Sequence, residues 1–572
     1  MGIYHFFGWF KNQFRGNMQK LSEKQNFEDV KVNIDNLMID MNGIFHNSAQ
    51  KIYQYGNFKP NMRVLHSQTK IYVNNKNQTK VFEDVCKNID ILLKTVNPKK
   101  TLILCVDGPA PYAKIIQQKR RRFKSAVDRE ENDKTFDSNQ ITPGTKFMDH
   151  LSKYIDWYIR KKISEDLAYQ NIDIIFSNEK TAGEGEAKCF SYIRKHGNKE
   201  ESYCIYGSDA DLIMLSLGTH YPKFYILRDD TFDRSNKYFI INISNVALHL
   251  GEIMRWKSDK FEYCVENAID DFIFVCFMVG NDFLPHIPSL EIIESGIDII
   301  LSVYRDTGTI HGHITKTQKD SICFIKEPLK AFFENISAYE KPILENKLKN
   351  RRLYFKDEIL ENCAIIEKDS VNLDIEKYRK EYFEKYFKDK DMKEICNFYL
   401  SGLDWIIKYY KNGVPDWKWY YPYDYAPPAN ILMRYIDDFK YPVYKKSTPL
   451  LPLQQLLAVL PPKSSELLPY PINELLTSND PIIKKFYPED FEIDLAGKKN
   501  DWQGIVIIPI ISPEIIIKIY LDISNSVNET DVKRNILGKS FIYRYEDKVN
   551  TTFNSYYGIV YGCKVKNTQI YI

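Results

Sequence analysis

A rhythm in the first 305 residues narrows the possible folds of this chain further than any other part of it. Short apolar runs recur at 37–40, 102–107, 172–176, 203–206 and 224–227, and helix-like segments fill the intervals. Strands alternating with helices predict βαβ units and an α/β core built on a mostly parallel sheet. The pattern changes after residue 310. The stretch 326–390 is dense in Lys, Glu, Phe and Tyr with little Gly or Pro, which predicts amphipathic helices or a charged spacer. Aromatic density rises from about 391, and WKWYYPYDYAPP (417–428) is too rich in proline for a helix or a central strand. It is expected as an ordered aromatic loop. Strand-like Ile/Val/Tyr patterns return over 502–572. The expected organisation is a core over 1–310, a charged helical linker over 311–390 and a second, mixed α+β region over 391–572.

Composition narrows the function classes. With 44% hydrophobic and 27% charged residues the chain is not disordered as a whole. Its 79 basic and 76 acidic residues leave a net charge of +3, so any footprint for a polyanion must be local. The 40 Tyr and 33 Phe suit stacking surfaces, although packing alone also uses them. Ten Cys without a CxxC pair argue against a zinc module and a disulfide framework. The aromatic opening MGIYHFFGWF is no signal-peptide core, and no run of about 18 apolar residues occurs. A soluble protein in a reducing compartment is expected: the cytoplasm, with the nucleus as the alternative. No membrane contact is expected, and the chain is expected as a monomer.

Five segments set carboxylates just after an apolar run or at a glycine-marked turn. They are LMIDMNG with Asp40, LILCVDGPAP with Asp107, TAGEGEAK with Glu184 and Glu186, YGSDADLIML with Asp209 and Asp211, and FMVGNDFLPHIP with Asp282. In an open α/β sheet the carboxyl ends of the strands face the ligand crevice. Seven acids gathered there would repel, at about 4 kcal/mol for each pair 4 Å apart at an effective dielectric of 20. Hard divalent cations, Mg²⁺ or Mn²⁺, would relieve that repulsion. Two such ions are the usual device for phosphodiester hydrolysis. Any one of these acids alone reads more readily as a helix cap or a surface residue, and it is the five segments together that weaken that reading.

A basic segment follows Asp107. From Lys114 to Lys124 there are six basic residues and no acid. Lys114, Gln118, Arg121 and Arg122 share one helical face, suited to clamping a terminal phosphate. A solvated basic face or a localisation signal is the plainer alternative.

These motifs resemble the Xrn/Rat family of 5′→3′ exoribonucleases. The likeness runs through MGIYHFFGWF, DMNGIFH, DGPAPYAKIIQQKRRRF, GEGEAK, GSDADLIML and GNDFLPHIPSLE. It continues into SGLDWIIKYYKNGVPDWKWYYPYDYAP, QLLAVLPPKSSELLP and FYPEDFEIDLAGKKNDWQG. It covers most of the chain and is weakest over 311–390. It implies a PIN/FEN-like nuclease core and a second region that encloses the entrance to the site. It implies that Asp40, Asp107, Glu184, Glu186, Asp209, Asp211 and Asp282 are catalytic acids holding two Mg²⁺ ions. It also implies that Lys114, Gln118, Arg121 and Arg122 seat the 5′-monophosphate of single-stranded RNA. His46 would stack on a leading base with a tryptophan, either Trp417 or Trp419. Tyr112 and Asp424 depart from the family pattern, where many relatives carry Arg and His. Recruitment of partners through long C-terminal modules is not expected. The residues themselves leave two rivals open: a flap-type DNA nuclease with the same acids, and an inactive RNA-binding scaffold.

Overall fold

A computed structural model of the chain describes Ile3 and residues 5–58, 74–127, 136–230, 237–319, 321–350, 355–367 and 370–572. Met1, Gly2 and Tyr4 of the opening motif, and three short parts of 311–390, lie outside the described residues.

Each apolar run forms a strand. In chain order the main sheet comprises β1 (Met18–Leu21), β2 (Asn36–Asp40), β3 (Thr101–Cys105), β4 (Asp173–Ser177), β5 (Tyr203–Tyr206), β6 (Phe224–Asp229), β7 (Tyr238–Asn242), β8 (Ser540–Tyr545) and β9 (Val565–Ile570). Its spatial order is β1-β7-β6-β5-β2-β3-β4-β8-β9. The five central strands are parallel, with Met38 opposite both Ile103 and Ile205. Antiparallel strands finish both edges. The expected α/β class is therefore found, as a sheet parallel at its centre and mixed overall.

The central strands are apolar throughout because both faces are covered. Their residues divide by alternation. Met38, Ile103, Ile175 and Ile205 point into one core, while Leu37, Ile39, Leu102, Leu104 and Ile174 point into the other. Each such side chain stabilises the fold by roughly 1.5–3 kcal/mol on burial. Ile103→Ala, at a position with no exposure, should cost about 2–5 kcal/mol.

Six helices position or support the site: α1 (Met41–Tyr53), α2 (Tyr112–Val127), α3 (Gly185–His196), α4 (Asp211–Leu217), α5 (Lys326–Lys349) and α6 (Met392–Asn412). Helix α5 lies in the stretch expected as a charged linker. Its Leu329, Phe332, Phe333 and Ile336 follow helical spacing and are buried in the same core as Met38. Helix α6 buries Leu403, Trp405, Ile406 and Ile407 there as well. Residues 417–428 form neither helix nor strand. The two C-terminal strands return to the sheet, where β8 pairs with β4 through Ile542 and Ile175. All ten cysteines are free. Among the described residues no helix is long and apolar enough to cross a membrane.

A candidate catalytic site at the carboxyl ends of the central strands

The order of the parallel strands places a crevice. From β2 the chain builds outward through β3 and β4, then returns to build β5 and β6 on the other side. The reversal lies between β2 and β5, the position where open α/β sheets take their ligands. Asp40 ends β2 and caps α1, with its carboxylate accepting from the Asn42 amide. Asp107 follows β3 by two residues, Glu184 caps α3, and Asp209 and Asp211 lie at the start of α4. Asp282 arrives from a separate turn after Gly280, whose φ of 89° is open only to glycine at low cost.

Close approach of backbone brings the acids together. A Cβ on Gly185 would sit 2.6 Å from Asp40 Oδ1 and 3.0 Å from the Cys105 carbonyl, so only glycine lets α3 start here. In return the Gly185 amide donates to Asp107 Oδ1 at 2.7 Å. Asn42 holds Asp107 from both ends: its Nδ2 donates to Asp107 Oδ2 at 2.8 Å and its Oδ1 accepts from the Asp107 amide at 3.0 Å.

The electrostatics record the crowding. Burial raises the Asp40 carboxyl well above the usual range, and Asp107 and Asp209 push it further. Glu186 is raised by burial and by Glu184. Asp211 is pushed up to about 7 by burial and by Asp282. Burial also raises Glu184, against the pull of Lys114. Asp282 is the exception: burial opposes its charge, but the Lys114 ammonium prevails and holds it low. Lys114 Nζ lies 2.8 Å from Asp282 Oδ2 and also bonds Glu184.

Two carboxylate oxygens, Glu186 Oε2 and Asp211 Oδ1, are buried with no hydrogen-bond partner. A buried acceptor without a partner costs about 1–3 kcal/mol or more when charged. Hard divalent cations match this donor set in chemistry, because every group offers carboxyl oxygen. Among the described residues no three ligand side chains close on one point as they stand; the lysine spans the gap between Glu184 and Asp282.

Helix α2 supplies the basic side. Lys114, Gln118 and Arg122 are buried, and Arg121 is exposed at the rim. Arg122 Nη1 donates to Thr142 Oγ1 at 2.5 Å and to Asn139 Oδ1 at 3.2 Å, while its Nε is buried with no partner. Burial and the neighbouring Arg121 lower the Arg122 guanidinium to about 9. His46, on α1, is held neutral down to about 4 by burial and then by Arg121 and Arg122. The histidine and the arginine pair thus face one another. The two tryptophans separate. Trp419 stacks on Trp405 at 5.1 Å and is packed against the core. Trp417 is half-buried, and its carbonyl accepts from the Tyr112 amide at the start of α2, 2.8 Å away.

Several supports of the site carry no expectation from sequence. Tyr409 on α6 donates to Glu184 Oε1 at 2.9 Å, and its ring stacks on Trp405 at 5.2 Å. Lys188 donates to the Val106 and Asn178 carbonyls at 2.6 and 2.8 Å, bracing the turn that carries Asp107. Of the two departures from the family pattern, Asp424 pairs with Arg120 and the Tyr112 hydroxyl donates to the Ile511 carbonyl. Lys188 lies within the GEGEAK motif, but nothing in the spacing announces Tyr409.

Comparison with known proteins places the chain in a family. A family model described as "XRN 5'-3' exonuclease N-terminus" matches residues 1–230, and one described as "Xrn1 helical domain" matches 262–366 and 355–569. The 5'-3' exoribonuclease 1 of Saccharomyces cerevisiae is 27% identical, over 98% of this chain and 46% of its own length. The protein of that name in Schizosaccharomyces pombe is 29% identical, over 97% of this chain and 51% of its own. The Homo sapiens protein is 29% identical, over 94% of this chain and 35% of its own. The chain thus spans about half or less of the length of these relatives. A solved catalytic core of Rad2 in complex with DNA covers 76% of this chain and 99% of that one at 11% identity and a TM-score of 0.31, too low to carry weight. Two family models that together match most of the chain decide its place: it belongs to the XRN 5'-3' exonuclease family.

Proposed function

We propose that this chain hydrolyses single-stranded RNA processively from a 5′-monophosphate end and releases nucleoside 5′-monophosphates. One juxtaposition carries the reading. An acid cluster with unsatisfied oxygens lies beside a basic helix whose Arg122 Nε has no partner, and Lys114 joins the two. Divalent cations held by the seven carboxylates, Mg²⁺ or in its place Mn²⁺, would activate water and steady the leaving oxygen.

The residues then divide the work. Arg122 and Arg121 bind the terminal phosphate, with Gln118 beside them on the same face. A guanidinium presents a fork of donors to it. Lys114 lies against Glu184 and Asp282, where a phosphate and the acids would share its charge. His46 is neutral at physiological pH and offers a flat face to a leading base. Trp417 is the better partner for that stack, because Trp419 is already stacked on Trp405. Stacking of this kind tolerates any base. A seat built from buried guanidinium and amide groups admits a monophosphate and excludes a cap by size.

A time course on end-labelled RNA bearing 5′-phosphate, 5′-hydroxyl or cap tests this, with Mg²⁺ or EDTA and a branched DNA of matched sequence. Mg²⁺-dependent release of mononucleotides from the 5′-phosphate RNA alone is expected. Preferred cleavage of the DNA, or binding without turnover, would overturn the reading.

A further inference from the structure

Helix α2 has a second inward face. Lys114, Gln118 and Arg122 look toward the acids and His46. Ala113, Gln117, Arg120 and Lys124 lie about a third of a turn round the helix and line a cavity of about 290 Å³. Asp282 and Arg121 belong to both sides. The far wall comes from distant parts of the chain, including His5, Tyr421, Tyr423 and Trp502.

Two observations say what this cavity is built to hold. Its wall carries two buried donors with no partner, Arg120 Nε and Asn281 Nδ2. Asn281 Oδ1 is already used by the Phe283 and Leu284 amides, at 2.8 and 2.9 Å. Arg121 and Lys124 on the same wall bring cationic donors to the cavity. The cavity is also lined with aromatic rings: His5 and Trp502 pair at 5.7 Å between centroids, with Tyr421, Tyr423 and Phe283 near them. Rings for a base and donors for oxygens, in a volume at the lower end of small-molecule sites, fit one mononucleotide. They do not fit an oligonucleotide.

We propose that this cavity receives the nucleoside 5′-monophosphate freed at the acid cluster, before it leaves the protein. The inference rests on the proposed exonuclease reading. In that reading each cut leaves a mononucleotide beside Asp282 while the next 5′ end must occupy the phosphate seat. A pocket that shares Asp282 but lies round the helix lets both be held at once.

The test is equilibrium binding of AMP to the full chain in EDTA, with adenosine and inorganic phosphate alongside. Wild type should bind AMP more tightly than either fragment. Trp502→Ala removes a half-exposed ring at the cavity rim and should weaken AMP binding about tenfold, within the range of one lost base stack. Arg122→Gln should remove the phosphate seat's own share of AMP binding and leave one Trp502-dependent AMP bound per chain. In rapid quench-and-filter assays of 5′-phosphate RNA, wild type should retain one released nucleotide. Trp502→Ala should make its first cut at the normal rate and retain none. AMP binding that survives Trp502→Ala but is lost in Arg122→Gln would overturn the proposal, as would no AMP binding at all. Retention of released nucleotide by Trp502→Ala would overturn it too. Absence of RNA turnover by wild type would sink the exonuclease reading instead, and AMP binding would still decide the cavity.

Discussion

Two buried charge clusters sit a short way apart in this protein and behave in opposite ways. Around Glu291 the acid has its partners. Lys347 Nζ donates to Glu291 Oε1 at 2.8 Å, and Lys498 Nζ lies 3.1 Å from His286 Nε2. Burial opposes the Glu291 charge, yet Lys347 and Lys498 hold its carboxyl far below the usual range. At the strand ends the acids outnumber the bases. Asp40, Glu186 and Asp211 are driven up by burial and by neighbouring acids, and oxygens on two of them have no partner. The first cluster ties the core to α5 and to the C-terminal region and is complete as folded. The second leaves Glu186 Oε2 and Asp211 Oδ1 without partners as folded. The acid of the first cluster is paired, and two oxygens of the second are not.

Substitutions should separate the two. The strongest is Asp209→Ala, which should cut RNA hydrolysis by at least about a thousandfold, within the range that metal and electrostatic devices supply. Circular dichroism and RNA binding should stay near wild type. Glu291→Gln should leave two lysines buried without their acid and cost about 3–5 kcal/mol of stability in urea unfolding, with cleavage by the folded fraction intact. Asp211→Asn should do the reverse. It relieves repulsion, so the protein in EDTA at about pH 7.5 should be more stable than wild type while activity falls.

Changing pH makes the same contrast without mutation. Asp211 releases its proton near 7 when folded and near 3.8 when unfolded. Between those values the folded state binds more protons, so stability in EDTA falls as pH rises from about 4 to 7. Every pH unit that separates folded from unfolded proton release corresponds to about 1.4 kcal/mol. Mg²⁺ should flatten that slope. The Glu291 cluster has the opposite sign, because its depressed carboxyl loses its contribution only as pH falls below the unfolded value. Tyr409→Phe should have the mildest consequence. Losing one hydrogen bond to Glu184 should raise the Mg²⁺ concentration needed for half-maximal binding a few-fold, by about 1 kcal/mol.

The contrast also explains what is legible in the sequence. Short apolar runs announce β2 to β6, because a strand covered on both faces must be largely apolar. The acids announce themselves because strand ends at a chain reversal converge without any help from side-chain packing. The pairing of β8 with β4 is hidden, since strand-like residues at 540–545 do not say which edge they join. Over α5 the sequence allows amphipathic helices or a charged spacer, because the stripe of Leu329, Phe332, Phe333 and Ile336 is interleaved with lysines and glutamates. Tyr409 is illegible for a related reason: its role depends on α6 docking over α3, a tertiary fact with no local signature. The preference proposed for Trp417 over Trp419 turns on Trp405, which lies on α6 and not in the loop.

Whether the crowded acids hold divalent cations can be read from thermal unfolding of the wild-type chain across a Mg²⁺ titration, with Asp209→Ala alongside. The wild-type midpoint should climb with Mg²⁺ and then saturate, and the climb should be lost in the variant. Equal wild-type midpoints at all Mg²⁺ concentrations would mean that these carboxylates bind no cation, and the reading of the site as a metal-dependent centre would fall.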